Sequence, residues 1–188
     1  MTNQIAEQHS ALAGKLGAIA ANVTDWDGPT PVAEWRARDV LIHLMTWLPG
    51  LLNKVGVELT TVEVEGDDVL AAWWKHTDNV QRLVEDDDQL ARTVDVGQGD
   101  QTLAQVLEQL YLSDLFMHRW DLAKASGQDP EWEPEVVAGM VEGMTPIAHV
   151  LGESGEFGNP VVLDESHPAE DRLVALIGRD PEWAPVVA

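Results

Sequence analysis

Residues 102–126, TLAQVLEQLYLSDLFMHRWDLAKAS, decide how the chain is read. The run predicts one long helix, closed by Gly127 and Pro130, residues that commonly end helices. Asp114 and His118 lie four positions apart in it, so their side chains share a face. Leu115 and Met117 stand between them. His43, in the earlier run RDVLIHLMTW, has Ile42 and Leu44 as neighbours. Burying a carboxylate and two imidazoles among such residues is costly unless something pairs with them, and a divalent cation would.

Further helices are expected on either side. Residues 4–22 place Ile5, Leu12, Leu16 and Ile19 on one helical face among alanines. DWDGPTPV (25–32) has turn chemistry, and a second helix follows over about residues 34–57, with a kink expected near Pro49 and Gly50. LTTVEV (59–64) has β-propensity, but one such run cannot make a sheet, so it reads as a crossover. A third helix over 67–83 has Asp67 or Asp68 as its cap and the acidic run 85–88 as its end. The two glycines of 94–100 mark a turn-rich connection with room for a short strand. Residues 133–151 predict a fifth helix with Pro134 in its first turn, GESGEFGNP (152–160) a loop, and 169–177 a last short helix. The expected fold is therefore all-α: a single domain, 1–188, with a four-helix bundle joined by crossover connections over about 1–128 and a C-terminal helical extension over about 129–188.

Composition narrows the function. A formal net charge of −22 would repel a phosphate backbone or an anionic membrane surface, so neither nucleic acid nor membrane is an expected partner. No apolar run reaches the length of a membrane span, and the opening MTNQIAEQHS lacks the pattern of a signal peptide, so a cytoplasmic location is expected. With no cysteine, the chain offers neither a thiolate ligand nor a thiol nucleophile. Any metal would be held by nitrogen and oxygen, and any sulfur chemistry would use an imported thiol. HExxH, P-loop and GxSxG motifs are all absent.

In a bundle, inward-facing side chains on neighbouring helices can build a metal site. His43, Asp114 and His118 are the candidate ligands; two nitrogens and one oxygen leave a coordination position open, as in catalytic zinc sites, and the set also suits iron or nickel. Asp121, three residues past His118, has two readings: an acceptor behind the ligands that orients an imidazole, or a carboxylate that is solvated or paired with Arg119 or Lys124. His76 is expected on a helix surface, His149 and His167 in local hydrogen bonds, and His9 lacks an acidic partner in helical register. Of the eight tryptophans, Trp35, Trp47, Trp73 and Trp120 read as core, with Trp47, one turn past His43, also placed to wall a pocket.

At these residues the chain resembles a known group. WRARDVLIHL (35–44), DLFMHRWDLAKASG (114–127), PAEDRL (168–173) and LIGRDPEW (176–183) are similar to the DinB-like, mycothiol-dependent maleylpyruvate isomerase N-terminal superfamily, and within it to short actinobacterial metal-binding proteins. The resemblance implies a four-helix bundle holding a divalent metal, often zinc, through a His, an acid and a second His, which fall on His43, Asp114 and His118. The isomerase branch has Glu at the place of Asp114, so this shorter side chain is expected to approach by its backbone or bind through water. The isomerase's additional C-terminal domain does not fit in 188 residues, and maleylpyruvate is not the expected substrate.

The leading expectation is a metal-dependent transferase or isomerase that activates a low-molecular-weight thiol, mycothiol, toward an electrophilic substrate. The alternatives are a non-catalytic metal-binding or regulatory protein and a metal-assisted hydrolase with Asp121 as base. No feature selects an oligomeric state; a homodimer through an apolar face is compatible with the sequence.

Overall fold

The computed structural model describes residues 3–154 and 158–185. Helix α1 (Gln4–Ala20) opens on Asn3, whose side-chain oxygen accepts the Ala6 N–H at 2.8 Å. Helix α2 (Ala37–Lys54) starts where the Arg36 N–H donates to the Asp39 carboxylate at 2.8 Å, and it runs through Pro49. Helix α3 (Val69–Val84) is capped by Asp68, which accepts from the Ala71 N–H at 2.9 Å. Each cap satisfies a backbone donor that the first turn leaves free.

A short helix, α4 (Asp87–Leu90), and an antiparallel hairpin, β1 (Thr93–Asp95) with β2 (Asp100–Thr102), lead into the second half. The Asp95 carboxylate accepts the N–H groups of Gly97 and Gly99, both at positive φ, which closes the turn. The predicted fourth helix is present as a continuous helical run in three parts: α5 (Leu103–Val106), a π-helical turn (Leu107–Leu112) and α6 (Ser113–Ala125). Ser113 Oγ donates to the Glu108 carbonyl five residues back.

The long helices close into a ring of neighbours: α1 packs on α3 and α6, and α2 packs on the same two. Side-chain contacts give their directions. Asn3 bonds the Val84 carbonyl while Gly17 faces Trp74, so α1 and α3 are antiparallel. A Cβ on Gly17 would overlap that indole ring as it lies, so the glycine lets the half-exposed Trp74 rest against the helix. His43 meets Asp114 and Trp47 meets Tyr111, so α2 and α6 are antiparallel too. Gln128, just past α6, bonds the Ile19 carbonyl near the end of α1, so those two helices run parallel. Hence α2 and α3 also run parallel, and the extended segment between them must travel the length of the bundle, as the crossover expected at 59–64 does. All-α is the fold class, with the hairpin as its one sheet among the described residues.

The C-terminal part has its own apolar cluster. Helix α7 (Pro134–Met144), a 3-10 turn (Thr145–Ile147) and helix α8 (Ala148–Ser154) occupy the predicted fifth helix, broken around Pro146, which has no N–H to continue the ladder. The loop expected at 152–160 begins later, since α8 reaches Ser154; residues 155–157 lie outside the described residues. Helix α9 (Ala169–Leu176) packs on α7. Val137, Val141, Leu173, Val174, Leu176 and Ile177 gather with Phe116, Met117 and Trp120 on one flank of α6, while Leu115, Leu122 and Ala123 face the bundle core. Residues 115–123 are all buried. A helix buried on every side, with His118, Arg119 and Asp121 among its buried residues, belongs in the middle of a structure. Among the described residues no helix is long and apolar enough to cross a membrane.

Candidate metal centre

The structure brings His43, Asp114 and His118 together. One donor atom from each lies within 4.8 Å of the others. His43 Nε2 is 3.1 Å from Asp114 Oδ2, and His118 Nε2 is 3.4 Å from Asp114 Oδ1. Ligands about 2.0–2.1 Å from a tetrahedral ion sit roughly 3.3 Å apart, and each imidazole lies near that separation from one carboxylate oxygen, His43 from Oδ2 and His118 from Oδ1. The Asp114 carboxylate therefore reaches both imidazoles directly, despite being shorter than Glu. His118 is buried, whereas the His43 and Asp114 side chains keep 27% and 19% of their exposure, which leaves the cluster open on one side.

Two of the three candidate ligands are held by further hydrogen bonds. His118 Nδ1 is 2.8 Å from Asp121 Oδ2, and a carboxylate can only accept, so Nδ1 carries a proton and Nε2 faces Asp114. Asp121 is fully buried and also meets Arg179, with Nε to Oδ1 and Nη2 to Oδ2 both at 3.2 Å. Of the two readings of Asp121, the structure selects the acceptor that orients an imidazole; it is neither solvated nor paired with Arg119 or Lys124. Arg119 turns the other way, to Glu133 at 2.8 Å. Trp47 Nε1 donates to Asp114 Oδ2 at 2.9 Å, fixing the rotation of the carboxylate.

The charges follow from this geometry. Burial opposes a charged His118, but Asp114 and the hydrogen-bonded Asp121 outweigh it and raise its pKa above the ordinary imidazole value. Burial likewise works against an ionised Asp121, yet the bonds from His118 and the charge of Arg179 bring its pKa below the ordinary carboxylate value.

Two expectations are corrected here. Trp35 is not on a helix: Glu34 adopts φ +70, α2 starts only at Ala37, and Trp35 sits in the preceding loop, its backbone bonded to Thr30 and Val32. Half-buried rather than core, it stacks on His118 (5.5 Å between centroids, 19° between planes) and packs on His43 at 4.9 Å. His76, expected on a surface, is fully buried, with Nε2 3.0 Å from the Tyr111 hydroxyl. Position 76 falls in helical phase with the buried residues 69, 72, 73, 80 and 83, which is the sequence signal that places it inside. Arg179, in the stretch LIGRDPEW, lies 58 positions from Asp121, beyond the reach of any local pattern.

No family model matches the chain, and no solved structure does. Two curated proteins of Mycobacterium tuberculosis are similar over most of its length. These are the uncharacterized proteins MT0763 (strain CDC 1551 / Oshkosh) and Rv0738 (strain ATCC 25618 / H37Rv), each 25% identical over 178 residues, or 91% of this chain and 95% of the relative.

Proposed function

We propose that His43, Asp114 and His118 bind one divalent metal ion, zinc by preference, and that the protein is a DinB-like, metal-dependent transferase or isomerase acting with a low-molecular-weight thiol, mycothiol, on an electrophilic small molecule. One observation carries the reading: three nitrogen and oxygen donors converge within 4.8 Å of one another, with Asp121 on the back nitrogen of His118. Metal-bound histidines commonly have such a partner, and a simple buried ion pair does not require it. The DinB-like part of the reading rests on the sequence resemblance, with which packing of α1 and α2 on both α3 and α6 is compatible.

A cation on three protein ligands would have a position left for a thiol sulfur and would lower its pKa, supplying the thiolate that a chain without cysteine cannot. The chain's own residues prepare that position. Asp121 keeps the proton of His118 on Nδ1 and so leaves Nε2 for the metal. Trp47 holds one carboxylate oxygen of Asp114, and Trp35 covers the two imidazoles on one side, where it excludes water.

The test is cobalt(II)-loaded protein titrated with mycothiol. Sulfur-to-cobalt charge-transfer bands, followed by faster thiol consumption with a model electrophile than a His118→Ala variant gives, are the expected result. Cobalt bound without such bands would replace this reading by the second one, a metal-binding protein without turnover. The position of Asp121 favours that second reading over metal-assisted hydrolysis: both its oxygens are engaged on the far side of His118 from Asp114, so it is badly placed as a base for a metal-bound water.

A further inference from the structure

The C-terminal helices build a cluster distinct from the bundle core, yet one of their side chains enters the wall of the candidate metal centre. That side chain is Arg179, and the local sequence aims it there. Helix α9 ends at Leu176 with Ile177 as its cap residue. The Gly178 N–H then bonds the Ala175 carbonyl at 3.0 Å and the Arg179 N–H bonds the Val174 carbonyl at 3.0 Å. This pair of bonds is a Schellman motif, which requires a left-handed residue between the helix and Arg179. Gly178 meets that need at φ +73.

The turn is also pressed against backbone. A Cβ on Gly178 would overlap Gly158, and the Val161 N–H bonds the Ala175 carbonyl beside it. Arg179 itself is tied back by Nη1 to the Ile177 carbonyl at 2.7 Å. Its remaining guanidinium edge meets the two oxygens of Asp121, one apiece, in the fork geometry that fixes both direction and distance. Asp121 Oδ2 in turn holds His118 Nδ1.

We propose that Arg179 is a positioning residue of the metal centre, through which docking of the C-terminal helices and occupancy by metal favour one another. The inference rests on the metal reading above. Two events that share the Arg179–Asp121–His118 chain are linked reciprocally: whatever docking adds to metal affinity, metal adds to docking. Without Arg179, Asp121 would have a buried negative charge matched only by His118, and could turn away from Nδ1. With Arg179 in place the carboxylate has one orientation.

The experiment compares zinc affinity, by chelator competition, in the full-length wild type, Arg179→Ala, Asp121→Asn and the double variant, each below its unfolding temperature. Amide hydrogen exchange over residues 173–179 is followed with and without zinc. Removing a partner behind a metal-bound histidine typically costs 10–100-fold in affinity, and that loss is expected in Arg179→Ala. Because both residues act through one chain, the double variant should lose no more than the worse single one. Zinc should slow exchange at 173–179 in the wild type and not in Arg179→Ala. A purely structural arginine would lower thermal stability without changing either zinc readout.

Gly178→Ala supplies an independent variant that keeps every charge. It displaces Arg179 by straining the turn, and it should weaken zinc binding in the same direction. Wild-type affinity in Arg179→Ala, or exchange at 173–179 indifferent to zinc in the wild type, overturns the proposal while leaving the metal centre standing. A wild type that takes up no zinc removes both.

Discussion

Two pairs of histidines sit in the same bundle and do opposite things. His43 and His118 face carboxylates: Asp114 between them, Asp121 behind. His9 and His76 are more deeply buried and have neutral partners, Gln81 Oε1 at 2.6 Å and the Tyr111 hydroxyl at 3.0 Å. Burial pushes the second pair down, His76 to about 4, with His9 adding to the effect on His76. It also works against charge on His118, where two carboxylates overcome it. What an imidazole can do is decided by the acceptors beside it rather than by its depth. Tyr111 marks the border between the pairs: it bonds His76, packs on Trp47, and is kept neutral by burial and by the nearby Asp114.

The comparison can be broken most directly at the metal. If only the first pair binds, His43→Ala and His118→Ala should each reduce zinc affinity by about a thousandfold or more, since binding of ~10–16 kcal/mol shared among a few ligands makes each worth several kcal/mol. His9→Gln and His76→Gln should leave it within about threefold. Isothermal titration or chelator competition decides, and equal losses in all four variants would mean that the two pairs do not differ.

The acid limb of stability sharpens the contrast from the other side. Because His76 has a lower pKa folded than unfolded, the unfolded chain binds more protons between pH 6.5 and about 4, and stability falls as pH falls through that window. The fall should be on the order of 3 kcal/mol, and its His76 share should vanish in His76→Gln. Urea unfolding at a series of pH values measures it. A slope unchanged in the variant would show that other groups carry the acid response.

The smallest effect concerns Trp47, which links the pairs through Tyr111 and Asp114. Trp47→Phe keeps an aromatic ring, smaller than the indole, and removes the N–H that holds Asp114 Oδ2. Zinc affinity should drop about tenfold, with stability changed by no more than about 1 kcal/mol. Unaltered affinity would show that Asp114 needs no such support.

Much of this was legible in the sequence because it is local. Asp114 and His118 face one way by helical spacing alone, and His43 stood out by its apolar neighbours. The residues behind them were harder to see. Asp121 could be named from its three-residue offset, but its choice between solvent and His118 depends on Arg179, which arrives through the whole C-terminal part. Trp35 was misplaced because the left-handed Glu34 ends the preceding loop late, a backbone state that few non-glycine residues adopt. The two-part core was not visible either, since residues 115–123 are apolar on both faces and periodicity cannot say which face meets which partner.

The π turn at Leu107–Leu112 gives the helix one place where a change of length can be absorbed. Elsewhere, one residue more or less in a helical turn rotates everything beyond it by about 100°. The wider turn takes up about one residue more than plain α-helix, so a single deletion between Val106 and Ser113 that restored plain α-helix would leave Asp114 and His118 on the face that meets α2. Counting residues across that turn is therefore part of recognising the site in any related chain. A one-residue gap there keeps the direction of the ligands, where the same gap in a plain α-helical stretch would change it by about 100°.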